Sequence, residues 1–342
     1  MLWIESPWVS DPQVWRWIQS INARIGAAYA RGDAGAAPTD ESGSGFADLD
    51  AARLVGLSSI AIPLYYEYAQ TNRSIGEWWK MDCDASVPHA LYASAGAIVG
   101  RMGFSAEWKD YSQFRRGTND PPSLVPEQSY VILNRDTHVL DATREVGYQL
   151  ELTGSVTDRF AFTANQSHAD GISINRYRED FVELRAVPGP QRWDASVFYD
   201  FMEDGFSFLE NGRTYGGVGT VRVLGPWSVR ADAERQTAEH PNGTQPSIPY
   251  DNFYLSFGVS RADWGSVAVV WDRTSDPLVR SVFEGGGDYL HLVSGVIGAR
   301  LSTQNEATLT FGRQRGGRAC TAGTCYEVQP FDGVELRIVS RF

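Results

Sequence analysis

From Trp227 to Gln236 the sequence reads WSVRADAERQ, and two kinds of residue alternate along it. Before Arg235, the odd positions carry the apolar residues Trp227, Val229, Ala231 and Ala233. The even positions carry the polar residues Ser228, Arg230, Asp232, Glu234 and Gln236. A strand places successive side chains on opposite faces, whereas a helix would scatter both kinds around its axis. The stretch therefore predicts a β-strand with one apolar face and one charged face.

The same alternation recurs along most of the chain, for example in residues 146–153, 193–201, 253–260 and 306–311. The sequence contains no run of 18 apolar residues, so it predicts no transmembrane helix. Its period of two residues instead predicts an all-β protein. Sixteen strands are predicted, near residues 20–31, 47–58, 60–70, 90–101, 104–115, 144–155, 159–168, 179–188, 191–202, 213–224, 227–238, 251–262, 265–275, 288–301, 304–315 and 332–342.

The connections between the predicted strands alternate between short and long. The short ones are Ser58-Ser59, Met102-Gly103, residues 156–158, Gly189-Pro190, Gly225-Pro226, Asp263-Trp264 and Ser302-Thr303. The long ones are rich in glycine, proline, aspartate and asparagine, as in residues 239–246. A soluble β-sandwich or β-propeller would also show alternating residues, but it has no reason to sort its connections by length. Short turns at one end and long loops at the other favour a barrel that crosses a membrane.

The last nine residues, Val334–Phe342, read VELRIVSRF and form the most specific local feature of the chain. Counting back by twos from Phe342 places Ser340, Ile338, Leu336 and Val334 on one face of a strand. This end resembles the carboxy-terminal signal of Gram-negative outer-membrane β-barrel proteins, in which the position of Ser340 usually carries a larger apolar residue. That class includes porins and barrel families of unknown function.

The resemblance covers nearly the whole chain at the level of architecture and implies a single β-barrel domain, residues 1–342. It implies short periplasmic turns, long extracellular loops and a location in the cell outer membrane. Its implied partners are the lipid bilayer, lipopolysaccharide and the barrel-assembly machinery. Residues 1–19 contain no export signal, so we interpret them as the start of a mature or truncated form. The residues implied as the assembly signal are Val334, Leu336, Ile338 and Phe342.

If the apolar face of each strand meets lipid, the other face lines a lumen. The sequence then predicts a porin-like channel or transport protein for small polar solutes, because charges of both signs alternate with apolar residues. A non-conducting barrel is the alternative, as a structural or partner-binding component of an envelope complex or as a homo-oligomer. The lumen-lining candidates are Glu151, Glu183, Arg185, Asp194, Asp200, Arg222, Arg230, Asp232, Glu234 and Arg337.

The third long connection, about residues 116–143, is the longest of the predicted loops. General porins have a similar length and sixteen strands, and they fold their third long loop into the pore. Residues 116–143 lack the short motif that is usual in that loop. An ordinary surface loop is therefore the favoured interpretation, and a constriction is the alternative.

Three cysteines are present, and two of them are close together in the segment Cys320–Cys325. A disulfide between Cys320 and Cys325 would suit an oxidising compartment, and free thiols are the alternative. Two cysteines without a nearby histidine are too few ligands for a metal site. Cys83 is predicted to stay unpaired.

Enzymatic activity is not expected from the sequence, although some outer-membrane barrels are lipid hydrolases or proteases. Ser167-His168 lies near a strand end and is the one pair that could serve such chemistry. The sequence contains no G-x-S-x-G, H-E-x-x-H or Walker motif, so no cofactor and no metal are expected. The formal net charge of −12 and the lack of a basic patch argue against nucleic acid as a partner.

Overall fold

The structure is a computed structural model that describes residues 24–31, 41–50, 60–71, 88–113, 129–138, 144–171, 176–186, 193–262, 264–283, 287–321 and 324–340. Most of these residues belong to strands: β1 (Arg24–Arg31), β2 (Glu41–Asp50), β3 (Ile60–Ala61), β4 (Pro63–Thr71), β5 (His89–Val99), β6 (Met102–Ser112), β7 (Arg144–Thr157), β8 (Phe160–Asp170), β9 (Arg176–Ala186) and β10 (Trp193–Asp204). The chain continues with β11 (Leu209–Leu224), β12 (Trp227–Asn242), β13 (Gln245–Arg261), β14 (Gly265–Thr274), β15 (Leu290–Arg300), β16 (Asn305–Gln314), β17 (Gly317–Thr321), β18 (Thr324–Val328) and β19 (Phe331–Ser340). Two short helices, α1 (Val131–Arg135) and α2 (Pro277–Val282), interrupt the strands. No helix within these ranges is long and apolar enough to cross a membrane.

All strands except the β17–β18 hairpin belong to one 17-stranded sheet. Neighbours in the chain pair antiparallel from β4 to β7 and from β10 to β16, and β19 then pairs with β16. Strands β7, β8, β9 and β10 are also successive neighbours in the sheet. Strands β3 and β4 pair with successive parts of β5 and are separated by Ile62 alone, so together they form one interrupted strand. Within the part of the chain that the structure describes, the sheet therefore contains sixteen strands, the number that the sequence predicts.

The chain divides into two compact units. The first contains residues 1–125, 140–154 and 165–178, and the second contains residues 126–139, 155–164 and 179–342. In the first unit β1 pairs with β2, β2 with β4, β5 with β6 and β6 with β7. In the second unit the pairing runs from β10 through β16 to β19.

Two predicted boundaries are wrong. Strand β2 covers residues 41–50 instead of the predicted 47–58, because the small residues of its sequence ESGSGFADLD hide the alternation. The predicted turn Ser58-Ser59 lies outside the described residues. Residues 239–246 are not a long loop, since β12 extends to Asn242 and β13 begins at Gln245. Between them Gly243 has a φ of +61°, which glycine adopts without the steric cost that other residues would meet.

Strands β17 and β18 form a separate hairpin between β16 and β19, an element that the sequence analysis did not predict. In this hairpin Cys320 lies directly opposite Cys325 in the backbone register. The side chains of the hairpin are outside the described residues, and Cys83 lies outside them altogether. The disulfide therefore stays a prediction.

The burial of β12 is the reverse of that in a soluble protein. Asp232, Glu234 and Gln236 are buried, whereas Ala231 and Ala233 on the other face are exposed. We call the face of Glu234 and its cross-strand neighbours the polar face and the opposite one the apolar face. An apolar side chain is normally buried because contact with water is unfavourable, so this exposed apolar face requires another apolar environment.

A continuous apolar row crosses the apolar face of the second unit from β12 to β19. Each member of the row is the cross-strand partner of the next: Val229, Val259, Val267, Ile297, Leu309 and Leu336. All six are exposed or half-buried, and Leu336 is 63% exposed. Apolar patches of this extent are rare on soluble proteins and typical of a surface that contacts lipid.

The first unit shows the same reversal of burial. The ion pair of Lys109 and Glu145 is almost completely buried, and the hydroxyl of Tyr92 donates a 2.7 Å hydrogen bond to Glu107. On the opposite face of the same strands, the paired aromatic residues Trp108 and Tyr148 are exposed. The charged face is therefore the inner one in both units.

Aromatic residues lie at both ends of the apolar face in the second unit. Trp193 and Trp227 are the first residues of β10 and β12, and Trp264 precedes β14, so all three are at the short-turn end. At the other end, Phe253 and Trp271 pack edge to face with ring centroids 5.4 Å apart. Such rings mark the two interfaces of a membrane. The fold is thus an antiparallel transmembrane β-barrel, which confirms the predicted class.

Candidate functional site

Residues 129–138, which we call the inner segment, lie between β6 and β7 and fold onto the polar face of the second unit. Tyr130, Ile132 and Leu133 are each no more than 2% exposed. The favoured interpretation of this region as a surface loop is therefore wrong for the described residues. The sequence did contain a signal for the burial of this segment, the apolar run from Tyr130 to Leu133, because an exposed loop rarely carries four such residues together.

Tyr130 anchors the inner segment to β9 and β10. Its ring stacks on Phe198, with centroids 3.7 Å apart, and lies 6.3 Å from Phe181. Its hydroxyl donates a 2.6 Å hydrogen bond to Glu183 and lies 2.8 Å from Ser196 Oγ. Burial and the bond to Glu183 raise the pKa of Tyr130. Tyr130 therefore fixes the inner segment both by the packing of its ring and by the hydrogen bond of its neutral hydroxyl group.

Glu234 of β12 holds the start of α1. The backbone N–H groups of Val131 and Ile132 donate to its two carboxylate oxygens, each at 2.7 Å. The first N–H groups of a helix have no partner within the helix, and Tyr130 provides no side-chain cap. The Glu234 carboxylate therefore replaces the missing cap from a neighbouring strand, with a charge that suits this helix end.

The end of the inner segment is held by charged and amide groups. Arg135 forms an ion pair with Asp272 at 2.7 Å. Asp136 accepts a 2.6 Å hydrogen bond from Gln236. Burial raises the pKa of Asp136, although Gln236 and two nearby arginines favour its charged form. His138 Nδ1 lies 3.2 Å from Asp204. The inner segment thus has contact partners on four strands, β9, β10, β12 and β14.

A buried network continues beyond the inner segment toward the long-loop end. Gln236 accepts a 2.7 Å hydrogen bond from Asn252, and Arg315 donates to Asn252 at 2.8 Å. Arg315 also lies 3.6 Å from Asp276. Burial lowers the pKa of Arg315. Burial alone would raise the pKa of Asp276, but the hydrogen bond from His240 and the charge of Arg315 lower it. Fully satisfied networks of this kind favour one arrangement of the groups involved.

The inner segment divides the polar face of the second unit into two halves. Toward the long loops, the covered half is almost inaccessible: its residues include Asp200, Thr214, Glu234, Gln236, Asn252 and Thr274, each no more than 2% exposed. Toward the short turns, the open half is accessible: Arg222 and Arg230 are exposed, and Thr220, Ser228 and Ser260 are half-buried. The inner segment therefore covers one half of the polar face and leaves the other half accessible.

The strand register places eight of the ten lumen-lining candidates on the polar face of their strands. The other two, Glu183 and Arg185, alternate with the exposed Val182 and Leu184 of β9. Only some of the ten meet. Glu183 and Glu234 contact the inner segment directly. Arg185 pairs with Asp194 at 3.3 Å, and Arg230 with Asp232 at 3.6 Å. Arg222 and Arg337 are exposed in the second unit, Asp200 is buried there, and Glu151 is half-buried in the first unit. A lining role for these ten residues stays a prediction.

Several residues of the site were not predicted as such. Tyr130 and Asp136 belong to a region that was interpreted as a loop, and Asn252 lies beyond the alternating core of β13. Gln236 is the last residue of the alternating stretch 227–236, from which β12 was predicted. Because its position is even, the alternation assigned it to the polar face. The alternation thus predicted the face of Gln236 but not its partner, because that partner is distant in the sequence.

Two other sequence predictions concern single residues. Ser167 and His168 are neighbours in β8 and point to opposite faces: Ser167 donates to Asn165 at 2.9 Å, and His168 lies 3.1 Å from Asp170. They are therefore not brought together as a catalytic pair. In the terminal strand β19, the apolar residues that belong to the assembly signal are exposed, and Phe342 lies outside the described residues. Their role as a signal stays a prediction.

Comparisons with solved structures find outer-membrane proteins at low sequence identity. A bacterial polysaccharide outer membrane secretin is 11% identical, with a TM-score of 0.38 over 94% of this chain and 97% of its own. A BenF-like porin from Pseudomonas fluorescens Pf-5 is 7% identical, with a TM-score of 0.38 over 93% and 96%. OccK11 (OpdR) from Pseudomonas aeruginosa is 10% identical, with a TM-score of 0.37 over 94% of both chains. The sequence matches no protein-family model, and a comparison with curated proteins finds no match either. The strand topology and the exposed apolar face of this chain are those of a transmembrane β-barrel.

Proposed function

We propose that the chain is a porin-like channel of the outer membrane, through which small polar solutes pass along the polar face. The inner segment narrows this passage at the long-loop side. The observation that carries the proposal is the contrast between the two halves of the polar face. A covered half held by Tyr130 and Glu234 adjoins an open half that carries Arg222 and Arg230. A hydrated, charged surface that narrows at one level is the usual way in which a pore selects solutes.

Conductance across a planar bilayer tests the proposal. The parent protein should give stable steps, and Tyr130→Ala should give larger or noisier ones, because the inner segment loses its anchor. Tyr199→Ala is the matched control, since Tyr199 is exposed on the apolar face of β10 and should leave the steps unchanged. Each variant is first shown to be folded by its heat-modifiable migration on a gel.

A non-conducting barrel is the second candidate, because the covered half is closed by a buried network of hydrogen bonds. Such a barrel would act as a structural or partner-binding element of an envelope complex or of a homo-oligomer. In that case folded parent protein and Tyr130→Ala would both leave the bilayer without steps. That result would contradict the channel and leave the second candidate.

A further inference from the structure

His240 of β12 connects two loops at the long-loop end of the second unit. Its Nδ1 atom lies 2.8 Å from the backbone carbonyl oxygen of Phe208, in the turn between β10 and β11. Its Nε2 atom lies 3.1 Å from Oδ1 of Asp276, the residue before α2. The imidazole ring also stacks on Tyr250 of β13, with ring centroids 4.4 Å apart. The side chain is 12% exposed, so the surrounding water can exchange protons with it.

Both partners of the imidazole ring are hydrogen-bond acceptors. A carbonyl oxygen has no hydrogen to donate, and neither has an ionised carboxylate. Burial alone would raise the pKa of Asp276, but His240 and Arg315 lower it, so this carboxylate is ionised. A neutral imidazole carries one N–H group, whereas an imidazolium carries two. Only the protonated ring can therefore make both contacts, and the neutral ring must give up one of them.

The groups around His240 favour its protonated form. The hydrogen bond to Asp276 raises the pKa of His240, its partial burial opposes this, and the bond to Phe208 and the charge of Asp136 add to the increase. Arg315 lies 3.6 Å from the other carboxylate oxygen of Asp276. The remaining charged side chains of the surrounding elements have other partners or belong to the opposite face of their strands: Asp204 with His138, Arg280 with the backbone of Gly287, and Glu203, Glu210 and Glu239.

Each of the two contacts holds a loop in a defined conformation. Phe208 has a φ of +55°, in the left-handed region that a bulky residue rarely adopts. A strained conformation persists only where its surroundings hold it, and the bond from His240 to the Phe208 carbonyl does so here. On the other side, the Asp276 carboxylate accepts a 2.8 Å hydrogen bond from the Leu278 N–H and so caps α2. Losing either contact should therefore loosen one of these loops.

We propose that His240 is a proton-operated latch, which fastens the β10–β11 turn and the start of α2 to each other at the long-loop end of the polar face. When the ring releases a proton to water, one of the two hydrogen bonds breaks and the loop on that side is freed. The long loops of such barrels lie outside the cell, so the latch responds to the pH of the external medium. Because folding raises the pKa of His240, the latch is closed below pH 6.5, the ordinary value, and opens as the pH rises through the raised value. This inference does not depend on conduction.

Hydrogen–deuterium exchange of the folded protein tests the latch at about pH 5.5 and about pH 8.5, after correction for the intrinsic exchange rate at each pH. Peptides that cover residues 205–209 and 276–283 contain the two loops. In the parent protein their protection should fall about tenfold at the higher pH, the effect of losing one hydrogen bond to a charged group. Peptides from the centre of β13 should keep their protection. Equal protection of the two loops at both pH values would overturn the proposal.

Three variants separate His240 from other titrating groups. His240→Gln can still donate to one acceptor but cannot be protonated, so its two loops should be poorly protected to the same extent at both pH values. Asp276→Asn still caps α2 but removes the charge that stabilises the imidazolium, so the transition should move to lower pH. His291→Gln is the matched control, because His291 is exposed on the outer face of β15 and should leave the transition unchanged. A transition that persists in folded His240→Gln, or that stays at the same pH in Asp276→Asn, would show that another group is responsible and that the proposal is wrong.

Discussion

Replacing Glu234 with glutamine should release the inner segment while leaving the barrel folded. The carboxylate accepts two backbone hydrogen bonds of 2.7 Å, from Val131 and Ile132. Glutamine keeps one acceptor oxygen, but its NH₂ group would face the second N–H donor. The remaining hydrogen bond is no longer made to a charged acceptor, and the second buried N–H has no partner. Together these two losses cost about 2–4 kcal/mol. The equilibrium for opening the segment should rise roughly 30- to 700-fold.

Hydrogen–deuterium exchange followed by mass spectrometry measures this opening directly. Peptides that cover residues 129–138 should exchange faster in Glu234→Gln, because amide exchange reports the free energy of local opening. Peptides from β13 serve as an internal reference, since the pairing of that strand does not involve Glu234's carboxylate. Glu335→Gln is the matched control, because Glu335 is an exposed residue of β19. Unchanged exchange in residues 129–138 of folded Glu234→Gln would refute the role of Glu234 as the helix cap.

Two further predictions concern the membrane face and the terminal strand. Val229→Arg should destabilise the folded barrel in lipid vesicles by about 2–4 kcal/mol, because Val229 belongs to the apolar row. Ser228→Arg, on the polar face, should destabilise it less. A urea titration measures both losses of stability, and equal losses would contradict the assignment of faces. Deleting Phe342 should lower the amount of folded barrel in cells more than Arg341→Ala does, because the apolar face of β19 must meet lipid in the correct register. Heat-modifiable migration on a gel measures the folded fraction. Full folding of the deletion variant would show that Phe342 is an ordinary chain end.

The alternation of residues predicted β12 well because burial there follows a single rule. Within the membrane each side chain meets either lipid or the polar face, so Val229 and Asp232 could be assigned from their parity alone. The same rule does not apply beyond the membrane, where both faces of a strand contact water. Residues 239–246 therefore read as a loop although they complete the β12–β13 hairpin.

The inner segment could not be placed from the sequence for a different reason. Its contacts join residues about 50 to 100 positions apart, such as Tyr130 with Glu183 and Val131 with Glu234. Alternation within one strand contains no information about such pairs. The apolar run in residues 130–133 indicates that the segment is buried, but not which strands cover it.

The length of the β12–β13 hairpin has a consequence for how the protein meets its surroundings. Strand β13 has 17 residues, and eight positions separate Phe253, at the membrane interface, from the first residue of the strand, Gln245. At about 3.3 Å per residue, the hairpin extends roughly 25 Å along its axis past that interface. The tip of the hairpin at Gly243-Thr244 therefore projects past that interface, and a sequence change there should leave the polar face within the membrane undisturbed.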